Sequence, residues 1–430
     1  MHPIHQIARR KAGALLFAVA SAAAWSNAHS APVEPVLSLA TKEKPALLET
    51  MKELVSIESG SKDIEGLDKL AAVIARRLEA LGGKVSLVEA GADIYRMHDT
   101  PEKLGKTVLA RFEGTGTKKI LLIAHMDTVY QKGMGAQQPF RIEGDRAYGL
   151  GIADDKAGIA VILHTIAMLQ AMNYKDYGVL TVAINGDEEI SSPGSRALLT
   201  KLGSEHDAVF SCESSSVTMD RISLATSGIG SVTLKVKGKA SHAGSAPEFG
   251  RNALYELAHQ IMQTRDLSNP SVGLKMNWTI ASAGANRNVI PEDATATADV
   301  RVLRVSDYDG LEKTLRERIR NKLIPDTQVE MQFERRRPPL EATDASRAMA
   351  ARAEKVYAEI GKKLAVVDVA EGGGTDAAFT ALNTKAPVLE RFGLLGFGAH
   401  SNNAEYVDIN SIEPRLYLLA RMVMEASSGK

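Results

Sequence analysis

The chain has one cysteine, Cys212, in 430 residues. A single thiol excludes an intramolecular disulfide, so export, where other features indicate it, does not here imply a disulfide-stapled fold. Excess charge is also missing: 52 lysines and arginines balance 52 aspartates and glutamates. Without a basic surplus nothing points to a polyanionic partner, and nucleic acid is not expected. Internal repeats and low-complexity linkers are absent. Long apolar runs are scarce too. One extends from Ala12 to Trp25, short of the roughly 20 residues that span a bilayer, and no other approaches that length, so a mature protein without a membrane partner is expected.

What stands around that run has the order of a secretory leader. Arg9, Arg10 and Lys11 precede it, and Ala28 and Ser30 supply small residues for cleavage before Ala31. Residues 1–30 are therefore expected to be removed on export to the periplasm or medium; an uncleaved amino-terminal anchor is the alternative. The remaining length exceeds what one core usually organises, and two domains are expected.

Helical spacing marks residues 46–58 and 64–81. Strand-like runs follow at 85–88, 107–112 and 120–124, a helix at 156–172, a strand at 179–184, a helix near 195–202 and a strand at 208–211. Such alternation predicts an α/β fold, a mostly parallel sheet with helices on both faces. The texture changes after Thr226. Strand 231–236, helix 253–263, strands 275–281 and 295–302, helix 308–321 and strand 328–333 make a β-α-β-β-α-β order, that of a ferredoxin-like unit. From about Pro338 the α/β texture resumes, with a helix at 345–360, the run 364–369, a helix after Gly374, a strand at 388–389 and a terminal helix at 412–426. The expected division is thus a first catalytic part, 31–226, an inserted domain, 227–337, and a second catalytic part, 338–430.

Chemistry gathers at the ends of the expected strands. ILLIAHMDTVY, residues 120–130, is an unbroken apolar strand that stops at His125 and Asp127, a spacing suited to a metal ligand and the group that orients it. GLGIADDKAG, 149–158, puts Asp154 and Asp155 at a helix entry, where they serve either as a cap or as ligands. NGDEEISSPGS, 185–195, carries Asp187, Glu188 and Glu189 directly after the next strand, AVFSCE delivers Glu213, and GLLGFGAHSNNAEYV, 393–407, holds His400. His125, Asp154, Glu189, Glu213 and His400 together form a mixed imidazole and carboxylate set. Two Zn²⁺ ions would each take one imidazole and one terminal carboxylate, with an aspartate and a water between them. Of the adjacent Glu188 and Glu189, one would bind metal and the other stay free as a general base.

AHMDTVY, GIADDKAG, DEE, KASHAG and GFGAHSNNAEYVD together resemble the co-catalytic zinc amidohydrolases, a family that includes aminoacylase, succinyl-diaminopimelate desuccinylase and glutamate carboxypeptidase, and within it the secreted bacterial glutamate carboxypeptidases of the carboxypeptidase G type. The resemblance implies that His125, Asp154 and Glu213 hold one zinc, and Asp154, Glu189 and His400 the other. It implies that Asp127 orients His125 and that Glu188 is the base toward the attacking water. His242, alone a surface histidine, would reach the metal site of a partner across a homodimer made through the inserted domain and help stabilise the oxyanion. Asn288, Arg301, Arg337 and Gly374 match positions near the substrate, whose free carboxylate an arginine fork suits; Arg301 alone reads equally well as a surface salt bridge.

Three departures bear on specificity. Glu213-Ser214-Ser215 replaces Glu-Pro-Thr, Arg221 replaces a lysine near the site, and Glu371 replaces a threonine before the glycine run 372–374. A buried anion at 371 would repel an acidic substrate side chain unless an arginine pairs with it. The expected function is zinc-dependent hydrolysis of the amide between an acyl or peptidyl group and a carboxy-terminal amino acid, with acyl-glutamates, folates included, leading. Alternatives are a dipeptidase or a desuccinylase with another side-chain preference. A non-catalytic solute-binding protein is disfavoured, because it has no need of a base beside an intact metal set.

Overall fold

The computed structural model describes residues 31–401 and 403–429, and the expected leader lies outside them. Helix α1, Glu34–Val55, opens the chain, and α2, Ile64–Ala80, follows. Helical spacing predicts the first helix only from residue 46, directly after Pro45. It runs through Pro45 nonetheless, since Val36, Ala40, Leu47, Met51 and Leu54 form one buried stripe whose packing outweighs the local cost of the proline.

Strands β1, Lys84–Val88, β2, Thr107–Glu113, and β3, Lys119–His125, come next, then the short pair β4, Arg141–Glu143, and β5, Arg146–Tyr148. Helix α3, Ala157–Ala171, leads to β6, Val179–Asn185; α4, Arg196–Glu205, leads to β7, Ala208–Ser211, with β8, Ser215–Ser216, and β9, Arg221–Ser223, close behind. A second unit comprises β10, Gly228–Lys237, β11, Ser241–His242, α5, Ala253–Thr264, β12, Lys275–Ala283, β13, Val289–Ile290, β14, Asp293–Val302, α6, Val305–Arg318, and β15, Gln328–Arg337. The chain closes with α7, Asp344–Glu359, β16, Ala365–Val367, α8, Ala377–Ala381, β17, Val388–Leu389, β18, Leu395–Phe397, β19, Tyr406–Asp408, and α9, Ile412–Ser428.

The main sheet runs β1-β2-β6-β3-β7-β17. β6, β3, β7 and β17 are mutually parallel, while β1 and β2 join antiparallel at one edge. β3 is the hub. Ile120, Leu122 and Ala124 face a core shared with α1, α3 and α9, whereas Leu121 and Ile123 face one shared with α4 and α8. An unbroken apolar run is what a strand with both faces covered requires. A five-stranded sheet, β4-β5-β19-β18-β8, went unread in the sequence because its strands are two or three residues long, too short to show a period.

The second unit has a four-stranded antiparallel sheet in the order β12-β14-β10-β15. With intervening helices this is the ferredoxin-like arrangement. Apolar residues alternate along β14, and those of β10 and β14 meet α5 and α6. Thr226 and Leu340 pair across the entry and exit of the unit, so the chain leaves the larger body and returns to it at neighbouring points.

Helix α3 starts close against the end of β7. A Cβ on Gly158 would stand 2.1 Å from the Cys212 carbonyl oxygen and 2.3 Å from Asp155 Oδ1. Gly158→Ala must push the helix off the strand, and about 1–3 kcal/mol of destabilisation is expected in urea unfolding. An unchanged midpoint would contradict this packing.

Candidate active site

Four parallel strands deliver side chains at one sheet edge, where open α/β sheets form their sites. His125 ends β3, Glu188 and Glu189 follow β6, Glu213 follows β7, and Glu390 and Arg391 follow β17. Asp154 comes from the turn before α3, and His400 from the loop after β18.

Asp154 is the centre. Its Oδ1 lies 2.9 Å from His125 Nε2 and its Oδ2 3.2 Å from His400 Nε2, and His400 Nε2 is also 3.1 Å from Glu189 Oε2. Glu213 and Glu188 line the same cavity, of about 530 Å³. Burial drives Glu213 and Glu188 well above the ordinary carboxylate range, and burial with the nearby Asp154 charge pushes Glu189 up to about 7. Hydrogen bonds to Asp154 and Glu189 lift His400 to about 10. The donor set fits a metal: Asp154, Glu189 and His400 offer ligand atoms within 4.8 Å of one another, and the buried Glu189 Oε1 has no hydrogen-bond partner. Mixed nitrogen and oxygen donors suit a borderline divalent ion.

Asp127 stands beside His125, where a group that orients it is expected, and has a second task as well. His125 Nδ1 sits 3.1 Å from the Asp127 backbone carbonyl and 3.5 Å from its carboxylate. That carboxylate chiefly holds the glutamate turn, accepting the N–H groups of Glu188 at 2.9 Å and Glu189 at 3.0 Å and the Ser61 hydroxyl at 2.8 Å. Glu405 does the same for Asp154. Buried, and raised by that burial to about 7, it accepts N–H bonds from Gly151, Ala153 and Asp154 at 2.8–3.1 Å and the Tyr130 hydroxyl at 2.5 Å. Sequence reasoning passed over Glu405, although an acid enclosed by the AEYV of a glycine-rich motif was a usable signal.

The expected substrate residues separate into three groups. Arg337 is buried in the cavity wall: it meets Glu188 Oε1 at 2.9 Å, donates to the Glu188 carbonyl at 2.7 Å, and pairs with Asp376 at 2.6 Å. Arg301 also lines the cavity, forked onto Asp299 at 3.0 Å with a third bond to the Gly372 carbonyl. Gly374 allows this approach, since a Cβ there would stand 2.8 Å from Arg337 Cδ. Arg221, outside the lining, holds Glu371 at 2.6 and 2.8 Å. The concern over a buried anion is thereby corrected: the Glu371 side chain is 57% exposed and neutralised. His242 and Asn288 do not line their own chain's cavity. They sit together on the β11–β13 ribbon, where Ala243 N–H bonds the Asn288 carbonyl. His242 is exposed, and its Nδ1 accepts from Gly244 and Ser245, which leaves Nε2 to donate.

Residues 121–425 match the family described as Peptidase family M20/M25/M40. Carboxypeptidase G2 of Pseudomonas sp. (strain RS-16) is 44% identical over 391 residues, covering 91% of this chain and 92% of that protein. Among solved structures, the M20 family metallo-carboxypeptidase Sso-CP2 of Sulfolobus solfataricus superposes with a TM-score of 0.71 at 17% identity, over 89% of this chain and 99% of the other. The YXEP protein of Bacillus subtilis, described as a dinuclear metal binding peptidase, gives 0.62 at 16% identity, over 91% and 99%.

Linkage gives a test of the charge balance. Glu189 holds its proton in the fold up to about 7 rather than 4.5, and His400 up to about 10 rather than 6.5. Between those values the fold binds more protons than the unfolded chain, so both groups make the metal-free protein less stable as pH rises. In chelator, the melting temperature is expected to fall from pH 5 to pH 9, and added Zn²⁺ to raise it more at pH 9. Glu189→Gln with His400→Gln should lessen both trends, leaving the share of Glu405 and the other acids that burial raises; the same slope in that variant would count against the assignment.

Proposed function

The chain belongs to peptidase family M20/M25/M40, and from that premise we propose that it is a dizinc carboxypeptidase that hydrolyses the amide joining an acyl or peptidyl group to a carboxy-terminal amino acid, glutamate foremost. One observation carries the reading. A mixed imidazole and carboxylate donor set shares a cavity with Glu188, a buried carboxylate whose neighbour Glu189 already belongs to that set.

His125, Asp154 and Glu213 would hold one ion, and Asp154, Glu189 and His400 the other. Bound zinc would supply a water acidic enough to lose its proton near neutral pH and positive charge for the carbonyl oxygen. The protein's own groups do the rest. Glu188 takes the proton from the attacking water and hands it to the leaving nitrogen. Arg337, fixed by Asp376, opposes the pull of burial on Glu188 and keeps that carboxylate ionisable. Arg301 and Arg337, with the open backbone at Gly374, face the substrate's free carboxylate, and the partner subunit's Asn288 would join them from the ribbon that carries His242. Arg221 contributes by neutralising Glu371, which removes the objection to an acidic amino acid.

Dimerisation through the inserted unit would complete the site with the partner subunit's His242. Support comes from β12, an edge strand with Ile280 65% exposed, and from the outer face of α5, where Leu254, Tyr255 and Met262 are exposed. Export by cleavage of residues 1–30 belongs to the same reading, and among the described residues no helix is long and apolar enough to cross a membrane.

Glu188→Gln is expected to keep two zinc ions per chain by elemental analysis and to lose about 10²- to 10⁴-fold in kcat on an acyl-glutamate. Near-normal turnover would exclude Glu188 as base. His242→Ala should be inactive alone, yet dimers mixed from Glu188→Ala and His242→Ala chains should regain activity at the one site that has both residues intact. No recovery in verified mixed dimers would argue against a shared site.

A further inference from the structure

Arg391 was not singled out in the sequence, and none of the roles described so far uses it. It follows Glu390 directly after β17, with φ at 74°, a left-handed backbone that a long side chain rarely adopts. Such positions persist where the surroundings demand them, often at functional sites. Glu390 turns inward, where Thr375 donates to it at 3.0 Å. Arg391 turns the other way and lines the cavity that holds Asp154, Glu188 and Glu213. One of its terminal nitrogens, Nη1, donates to the Ser214 carbonyl at 2.7 Å, one residue beyond Glu213.

The other arginines of this cavity already hold a carboxylate of the chain and keep only their remaining N–H groups for the substrate's carboxy terminus. Arg301 is forked onto Asp299, and Arg337 is divided between Glu188 and Asp376. Arg391 has no carboxylate within ion-pair distance among the described residues, and its side chain is part-buried in the cavity wall. A guanidinium anchored by one nitrogen, with its remaining donors free, presents a fork for a planar anion. It also approaches from a different wall. Arg301 and Arg337 come from β14 and β15, whereas Arg391, Ser214 and Phe397 come from the ends of the parallel sheet and β18.

We propose that Arg391 is a specificity-determining residue that takes a second carboxylate of the substrate, apart from the carboxy-terminal one. The enzyme then prefers a substrate with two acidic groups. This rests on the amidohydrolase reading above. The second carboxylate is either the side chain of the released amino acid or an acid on the acyl group, and the same fork serves both. Ser214 is part of the device: a proline at that position would keep the carbonyl that anchors Arg391 but lose the hydroxyl that bonds the Ala153 carbonyl beneath it.

The test uses the zinc-loaded, full-length dimer and two matched pairs: benzoyl-glutamate against benzoyl-glutamine, and succinyl-alanine against butyryl-alanine. The quantity read is the ratio of kcat/KM, acidic over neutral, in the wild type, Arg391→Ala and Arg391→Lys. In Arg391→Ala one ratio is expected to fall about 10- to 100-fold, chiefly through KM, with partial recovery in Arg391→Lys. Collapse of the first pair assigns the leaving side chain, and collapse of the second assigns the acyl group. Both ratios staying within twofold of wild type, while melting temperature and zinc content are preserved, would overturn the proposal. So would an equal loss on acidic and neutral members, which marks a structural role. A wild type that cleaves none of the four would instead overturn the amidohydrolase reading on which the proposal stands.

Discussion

Asp154 gives one carboxylate oxygen to His125 and the other to His400, and the rest of the site is arranged so that it can. A short, branched anion between two imidazoles needs its backbone fixed to a few tenths of an ångström. Glu405 supplies this by gathering the N–H groups of Gly151, Ala153 and Asp154 onto one buried carboxylate. Asp127 performs the matching service for the turn of Glu188 and Glu189. Two interior acids thus serve as backbone clamps for the acids that face the cavity. Burying so many carboxylates together is unfavourable without protons or cations, and the raised positions of Glu188, Glu189 and Glu213 express that cost.

Much of this was legible because parallel strands announce themselves. The run from Ile120 to Ala124 reads as a strand covered on both faces, and the polar residues that follow each such parallel strand fall at one edge. The ferredoxin-like order after Thr226 was legible for a similar reason: its strands reach ten residues and alternate. Less was visible where structure depends on distant partners. β4, β5, β8, β18 and β19 have no period of their own and exist because they pair with one another. Pro45 stays helical because a buried stripe holds it.

Side-chain direction was the other hidden quantity. Sequence could set Glu371 beside the glycine run but not tell that it leans to solvent on Arg221. Nor could it distinguish Arg337, buried against Glu188, from Arg221, outside the cavity, since both read as arginines near a site. Arg391 escaped notice because a lone arginine after a two-residue strand carries no pattern. Its meaning comes from what surrounds it: a left-handed backbone, a carbonyl anchor and an absence of acids among the described residues within reach.

Strand β15 ties the two bodies together with consecutive charges of differing tasks. Glu334 accepts the His98 N–H at 2.8 Å and meets its ring at 2.9 Å, Arg336 forks onto Asp99 at 2.8 and 2.9 Å, and Arg337 reaches Glu188. Asp99 and the His98 ring are about half exposed, so the contact of Arg336 with Asp99 is worth little by itself, whereas Glu334 is buried and costly to leave unpaired. The third is buried, and breaking it would strand a charge on each side. Separating the inserted sheet from the parallel sheet is therefore cheap only at Asp99 and expensive at both Glu334 and Glu188. The base is thus held from the inserted unit: the guanidinium that keeps Glu188 ionisable arrives on the same strand whose buried Glu334 fixes it to the segment between β1 and β2.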